Sequence, residues 1–112
     1  ELSTTGVYKV DDTTLAAIRE SFDCGCAGDD EAADQIHTCF TEDHYLCDPH
    51  TAVAFRVAGQ CRTDAPMVVL STASPFKFPR DVLAALGEAV PDSDFAFIRS
   101  YRLYSSISHI DR

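Results

Sequence analysis

Cysteine and histidine crowd the first half of the chain. Cys24-x-Cys26, His37-x-Cys39, His44, Cys47 and His50 lie within twenty-seven positions, and thiolate with imidazole is the ligand set of zinc. The spacing argues the other way. Structural zinc sites separate paired ligands by two to four residues, whereas one residue separates Cys24 from Cys26 and His37 from Cys39. On a helix His37 and Cys39 point to different sides, and Cys39 beside Ile36 and Phe40 reads as a small core residue. Ser71, His50 and Asp48 could be assembled into a nucleophile triad, yet no Gly-x-Ser-x-Gly turn surrounds any serine. Lys77 between Phe76 and Phe78 could be an amine of lowered pKa, or a lysine whose stem lies on apolar surface near a helix start. Gly25, Gly28, Gly59 and Gly87 are scattered, so no phosphate-cradling loop is present. Five cysteines, an odd number without a secretory leader, argue for reduced thiols and a cytoplasmic location.

The elements that must position such residues fit in 112 residues, enough for a single domain over 1–112. Hydrophobic residues make up 46% and charged residues 24%, the balance of a globular chain. The net charge of −9 would repel nucleic acid and an anionic membrane surface. That charge is uneven: residues 1–50 carry a net −10 and residues 51–112 a net +1. A solvated acidic face accounts for it, and so would a missing partner surface or a second copy. No apolar run approaches a membrane span. The chain opens without methionine, which points to a mature product or an excised piece of something longer.

Gly6-Val7-Tyr8-Lys9-Val10 has β-type composition. Asp11 and Asp12 then offer an N-cap, and Leu15, Ile18 and Phe22 share a helix face. Cys24 to Gly28 ends that helix. Asp29, Asp30 and Glu31 open another, with Ala33, Ile36 and Phe40 as its expected buried face, and the pair reads as an αα-hairpin. Asp48-Pro49 is a strong helix start, followed by the small residues Ala52, Ala54, Ala58 and Gly59. Met67-Val68-Val69-Leu70 has the continuous apolar character of a buried strand, expected over 66–72. Pro79 starts a helix bearing Val82, Leu83 and Leu86. Helix, buried strand, turn and helix together are α/β logic. In the tail, Asp94 to Ile110, alternating aromatics compete with helical spacing, and Pro91-Asp92-Ser93 tips the reading to helix.

Two stretches add a resemblance. Leu46-Cys47-Asp48-Pro49-His50-Thr51-Ala52-Val53-Ala54 resembles the "DPHTAV" segment of the threonine synthase family. Val69-Leu70-Ser71-Thr72-Ala73-Ser74-Pro75-Phe76-Lys77-Phe78 resembles that family's "TAHPAKF" segment about twenty residues further on. The flanks from Gly6 through Phe22, and from Asp34 to Phe40, are similar too. The resemblance covers essentially residues 5–90. Ser74 stands where the family often has histidine, and Phe76 where it often has alanine.

The resemblance implies a helix-rich α/β fragment of a pyridoxal-phosphate enzyme of the tryptophan-synthase-β-like fold type II. One buried strand and few further short strands are expected. The family converts O-phosphohomoserine and water to threonine and phosphate, with pyridoxal phosphate as electron sink. Its cofactor-anchoring lysine and phosphate loop lie in segments these residues do not contain. The chain therefore reads as a C-terminal part whose partner is the remaining N-terminal part. Pyridoxal phosphate is expected in the parent enzyme and not on this piece alone. Thr72 matches the family threonine that hydrogen-bonds the pyridine nitrogen. Lys77 matches a motif lysine that does not anchor the cofactor, and His50 and Thr51 match positions at a helix start. The competing reading is a stand-alone binding or regulatory module, zinc-stabilised through the Cys/His-rich first half.

Overall fold

Carboxylates and prolines mark where the helices begin. The structure, a computed structural model, describes residues 2–61 and 64–90. A short α1 spans Leu2–Thr5, and α2 spans Asp12–Ser21. The Asp11 carboxylate caps α2, accepting from the Thr14 amide at 2.9 Å and the Thr14 hydroxyl at 2.8 Å. Asp29–Glu42 forms α3, whose first-turn Glu31 reaches back to accept from the Gly28 amide at 3.0 Å. Pro49–Gln60 forms α4 behind its cap Asp48. A 3₁₀ turn at Pro75–Lys77 leads into α5, Pro79–Ala85. That helix stops at Gly87, whose φ of 73° is open to glycine at little cost. The Gly87 amide donates to Ala84 at 3.0 Å and the Glu88 amide to Leu83 at 2.9 Å, answering two terminal carbonyls.

The packing centres on α3, which lies against α4 and α5. Ile36, Cys39, Cys47, Ala52, Val82 and Leu83 form the buried centre with Ala32 at its edge, and Leu46, Val53, Phe55 and Leu86 pack around it. Each large aliphatic in that centre contributes roughly 1.5–3 kcal/mol by leaving water. The α3 stripe is Ala32, Ile36 and Cys39, not the expected Ala33, Ile36 and Phe40; Ala33 and Phe40 are half-buried. Both stripes obey helical spacing, and α4 and α5 decide between them.

The expected αα-hairpin is corrected as well. No residue of α2 is buried; Ile18 is 43% exposed, and Phe22 just beyond it 72%. The partner of α3 is therefore α4. The connector between α2 and α3 nonetheless touches α4, because a Cβ built on Gly25 would lie 2.8 Å from Val57 Cγ1.

The buried strand expected over 66–72 is not there, and the fold is helix-rich without strands among the described residues. Met67, Val68 and Leu70 are 49%, 80% and 73% exposed. A strand exists only by its neighbour's hydrogen bonds, and among the described residues none is offered. The β-type run at Gly6–Val10 likewise forms no strand, and Val7 and Tyr8 are exposed. The expected tail helix lies outside the described residues. No helix among the described residues is long and apolar enough to cross a membrane.

Candidate functional site

The start of α4 holds the buried polar side chains found among the described residues, Asp48 and Thr51. Asp48 is fully buried, and its carboxylate accepts from the His50 amide at 2.9 Å and the Thr51 amide at 3.4 Å. The buried Thr51 hydroxyl donates to the second carboxylate oxygen in a short contact. His50 Nδ1 lies 3.1 Å from Asp48 Oδ1, so a ring protonated there donates to it. Burial pushes the Asp48 carboxyl up; the hydrogen bonds from the Thr51 hydroxyl, the His50 amide and ring and the Thr51 amide outweigh it. The group therefore titrates below the usual carboxylate range. A buried carboxylate with four donors is a satisfied anion, fixed in place.

This cap reaches the segment that carries Thr72. Thr51 Oγ1 and Ser71 Oγ are 3.4 Å apart, and the Tyr45 hydroxyl donates to Ser71 Oγ at 3.1 Å. Tyr45 arrives there because His44, at φ 53°, turns the chain after α3, and the Tyr45 amide donates back to the Cys39 carbonyl at 3.0 Å. Histidine visits that left-handed region more readily than most residues. The two motif segments, far apart in sequence, thus meet through side chains. Thr72 itself is exposed, and its hydroxyl makes no hydrogen bond among the described residues.

The other candidates separate. Ser71 contacts Thr51 and Tyr45, while the His50 ring lies against Phe78 with centroids 4.8 Å apart, so no serine–histidine pair forms. Lys77 is exposed, its Nζ 5.7 Å from the centre of the Phe78 ring. His50 and Phe78 border a groove of ≈ 560 Å³ whose other walls carry Asp29, Asp30 and Asp81. Cys39 and Cys47 are buried, Cys24 and Cys26 exposed. Burial, then the neighbouring Cys39, pushes the Cys47 thiol up to about 12. Among the described residues no three His, Cys, Asp or Glu side chains gather to hold a metal ion. Tyr45 was not singled out by the sequence, since nothing local marks a tyrosine as a hydrogen-bond partner of a serine twenty-six positions away.

Residues 51–102 match the family model "Threonine synthase, C-terminal". Threonine synthase of Pseudomonas aeruginosa is 36% identical over 88 residues, covering 76% of this chain and 19% of that protein. Its counterpart in Schizosaccharomyces pombe is 34% identical over 102 residues, covering 87% of this chain and 19% of that protein. The crystal structure of PLP-bound threonine synthase from Brucella melitensis superposes with a TM-score of 0.72 at 32% identity, over 96% of this chain and 26% of that one. This chain belongs to the threonine synthase family. It corresponds to a C-terminal portion, and it spans 19% of the length of the two curated relatives described above. The family match includes Thr51 and Ser71, through which the α4 cap meets the following segment, and their neighbour Thr72.

Proposed function

We propose that this chain is the C-terminal part of a cytoplasmic threonine synthase that forms threonine and phosphate from O-phosphohomoserine and water. Residues 1–112 act in it as one unit. Pyridoxal phosphate, when bound, supplies an electron sink for substrate carbanions. The role of this chain is narrower. The Thr72 hydroxyl donates a hydrogen bond to the pyridine nitrogen, which a neutral hydroxyl serves without making it cationic. The observation that carries this reading is the exposed Thr72 hydroxyl, without a hydrogen-bond partner among the described residues, next to a serine tied to the buried α4 cap.

The described residues fit one edge of the cofactor and not its phosphate. A helix start attracts phosphate through free amides and the positive end of the dipole. Here carboxylates occupy those positions: Asp11 on α2, Asp29 to Glu31 on α3, Asp48 on α4 and Asp81 on α5. The anchoring lysine and phosphate site then belong to the remaining N-terminal portion. The apolar run Met67–Leu70 pairs with that portion as a strand, which explains why it is exposed alone. Apolar surface left open in the isolated piece favours association with further copies.

The test is a pyridoxal-phosphate titration of the 112-residue chain alone and joined to an N-terminal threonine synthase portion, with an O-phosphohomoserine turnover assay on both. A single neutral hydrogen bond nets about 1 kcal/mol, less than the several kcal/mol that association costs. The isolated chain is therefore expected to bind no better than a surface lysine and to turn over nothing, while the joined protein does both. Micromolar affinity or threonine formation by the isolated chain overturns the division of labour.

A further inference from the structure

We propose that Thr51 and Ser71 are positioning residues for Thr72, linking the hydroxyl that meets the cofactor to the buried carboxylate at the start of α4. The proposal rests on the reading of Thr72 given above. Each hydroxyl owns one proton, and that fixes the direction of the chain. Thr51 spends its proton on Asp48, so at the 3.4 Å contact Thr51 Oγ1 is the acceptor and Ser71 the donor. Ser71 Oγ in turn accepts from the Tyr45 hydroxyl at 3.1 Å. Every proton runs one way, from Tyr45 through Ser71 and Thr51 to Asp48.

The end of that chain is immobile. Asp48 and Thr51 are both buried, and Asp48 is held by amides of its own helix. Ser71 is exposed and sits in a segment with no helix or ladder of its own among the described residues, and its hydroxyl bonds tie it to α4 and to the connector that carries Tyr45. Thr72 Cα is one trans peptide, about 3.8 Å, from Ser71 Cα. Anchoring Ser71 leaves few backbone rotations free before Thr72, and pre-ordering a binding group removes part of the entropy that binding would otherwise cost. The device acts through geometry, so neither Thr51 nor Ser71 needs to touch the cofactor.

The experiment is a double-mutant cycle read by pyridoxal-phosphate affinity, in a threonine synthase that carries this chain as its C-terminal portion. Ser71→Ala, at an exposed position, is expected to raise the Kd roughly 5–10-fold, the size of one lost hydrogen bond. Thr51→Val is expected to do the same, and Thr51→Ser to restore most of the affinity. In a Thr72→Val background, Ser71→Ala is expected to add nothing. If Thr72→Val weakens binding and Ser71→Ala does not, the positioning role is wrong and the Thr72 reading stands. If Thr72→Val leaves the Kd unchanged, the Thr72 reading itself fails. Additive effects of Ser71→Ala and Thr72→Val also overturn the proposal, because independent contributions are not positioning. Thermal midpoints within a degree of one another for Ser71→Ala and the parent exclude a folding defect as the cause.

Discussion

The cluster of α3, α4 and α5 and the segments beside it are similarly rich in apolar residues and opposite in burial. In the cluster, Ile36, Val82 and Leu83 are almost wholly enclosed; outside it, Val7, Tyr8, Phe22, Val68 and Leu70 all stand more than half open. The difference lies in neighbours. Within the cluster α3 packs against both α4 and α5, and buried polar groups such as Asp48 are answered from within a few residues. Around α2 and residues 66–70 the apolar side chains meet nothing comparable among the described residues. One region is closed by its own local sequence; the other leaves its apolar side chains open among the described residues.

The comparison breaks or sharpens under substitution. The largest effect is expected from Ile36→Ala, which opens a cavity where α3 meets its neighbours and costs about 2–5 kcal/mol. For so small a core that loss approaches the whole stability, so the thermal transition followed by far-UV circular dichroism is expected to broaden or vanish. Asp48→Ala comes next, at about 1–3 kcal/mol, because it strips the α4 cap and leaves the buried Thr51 hydroxyl without its acceptor. Its pH signature follows from the direction of the shift. The folded carboxyl titrates below its unfolded value, so its stabilisation is full above the ordinary carboxylate range and is lost as pH falls through the folded pKa. Asp48→Asn is expected to flatten the acid limb of a stability-versus-pH curve; an unchanged limb would show that Asp48 is not what drives it. Asp11 and Glu31, lowered first by backbone hydrogen bonds from Thr14 and Gly28, act with the same sign.

Gly25→Ala is expected to cost about 1 kcal/mol, since its methyl group would press on Val57 and push the connector away from α4. A urea midpoint equal to that of the parent would mean that Val57 turns aside freely. The smallest effect is expected from Ile18→Ala on α2, within about 0.5 kcal/mol of the parent. A loss there as large as that of Ile36→Ala would erase the distinction between the two regions.

The sequence disclosed local structure well where the signal was chemical and close at hand. Asp11, Asp48-Pro49 and Pro79 each mark a helix start, and each helix begins there. It misled where the outcome depends on a neighbour. Periodicity put Leu15, Ile18 and Phe22 on one face of α2 but could not say what covers it. Met67–Leu70 has the composition of a buried strand, yet a strand needs a second segment beside it, and none pairs with it among the described residues. Thr72 entered as a candidate only through the resemblance, and the bridge from Thr51 to Ser71 was not legible at all. Hydroxyls are common, and their meeting depends on how α4 packs and where the turn at His44 sends Tyr45.

The buried thiol of Cys47 has a use at the bench. Burial and the neighbouring Cys39 push its pKa up, so little of it carries the reactive thiolate at pH 8. Cys24 and Cys26 are exposed to reagent from the first second. An alkylating agent therefore marks the chain in stages, an early wave at Cys24 and Cys26 and a late wave at Cys39 and Cys47, with half-buried Cys61 between them. The late wave advances only as often as α3 and α4 part, so mass spectrometry of a labelling time course becomes a clock for the opening of the helix cluster, with no probe added to the protein.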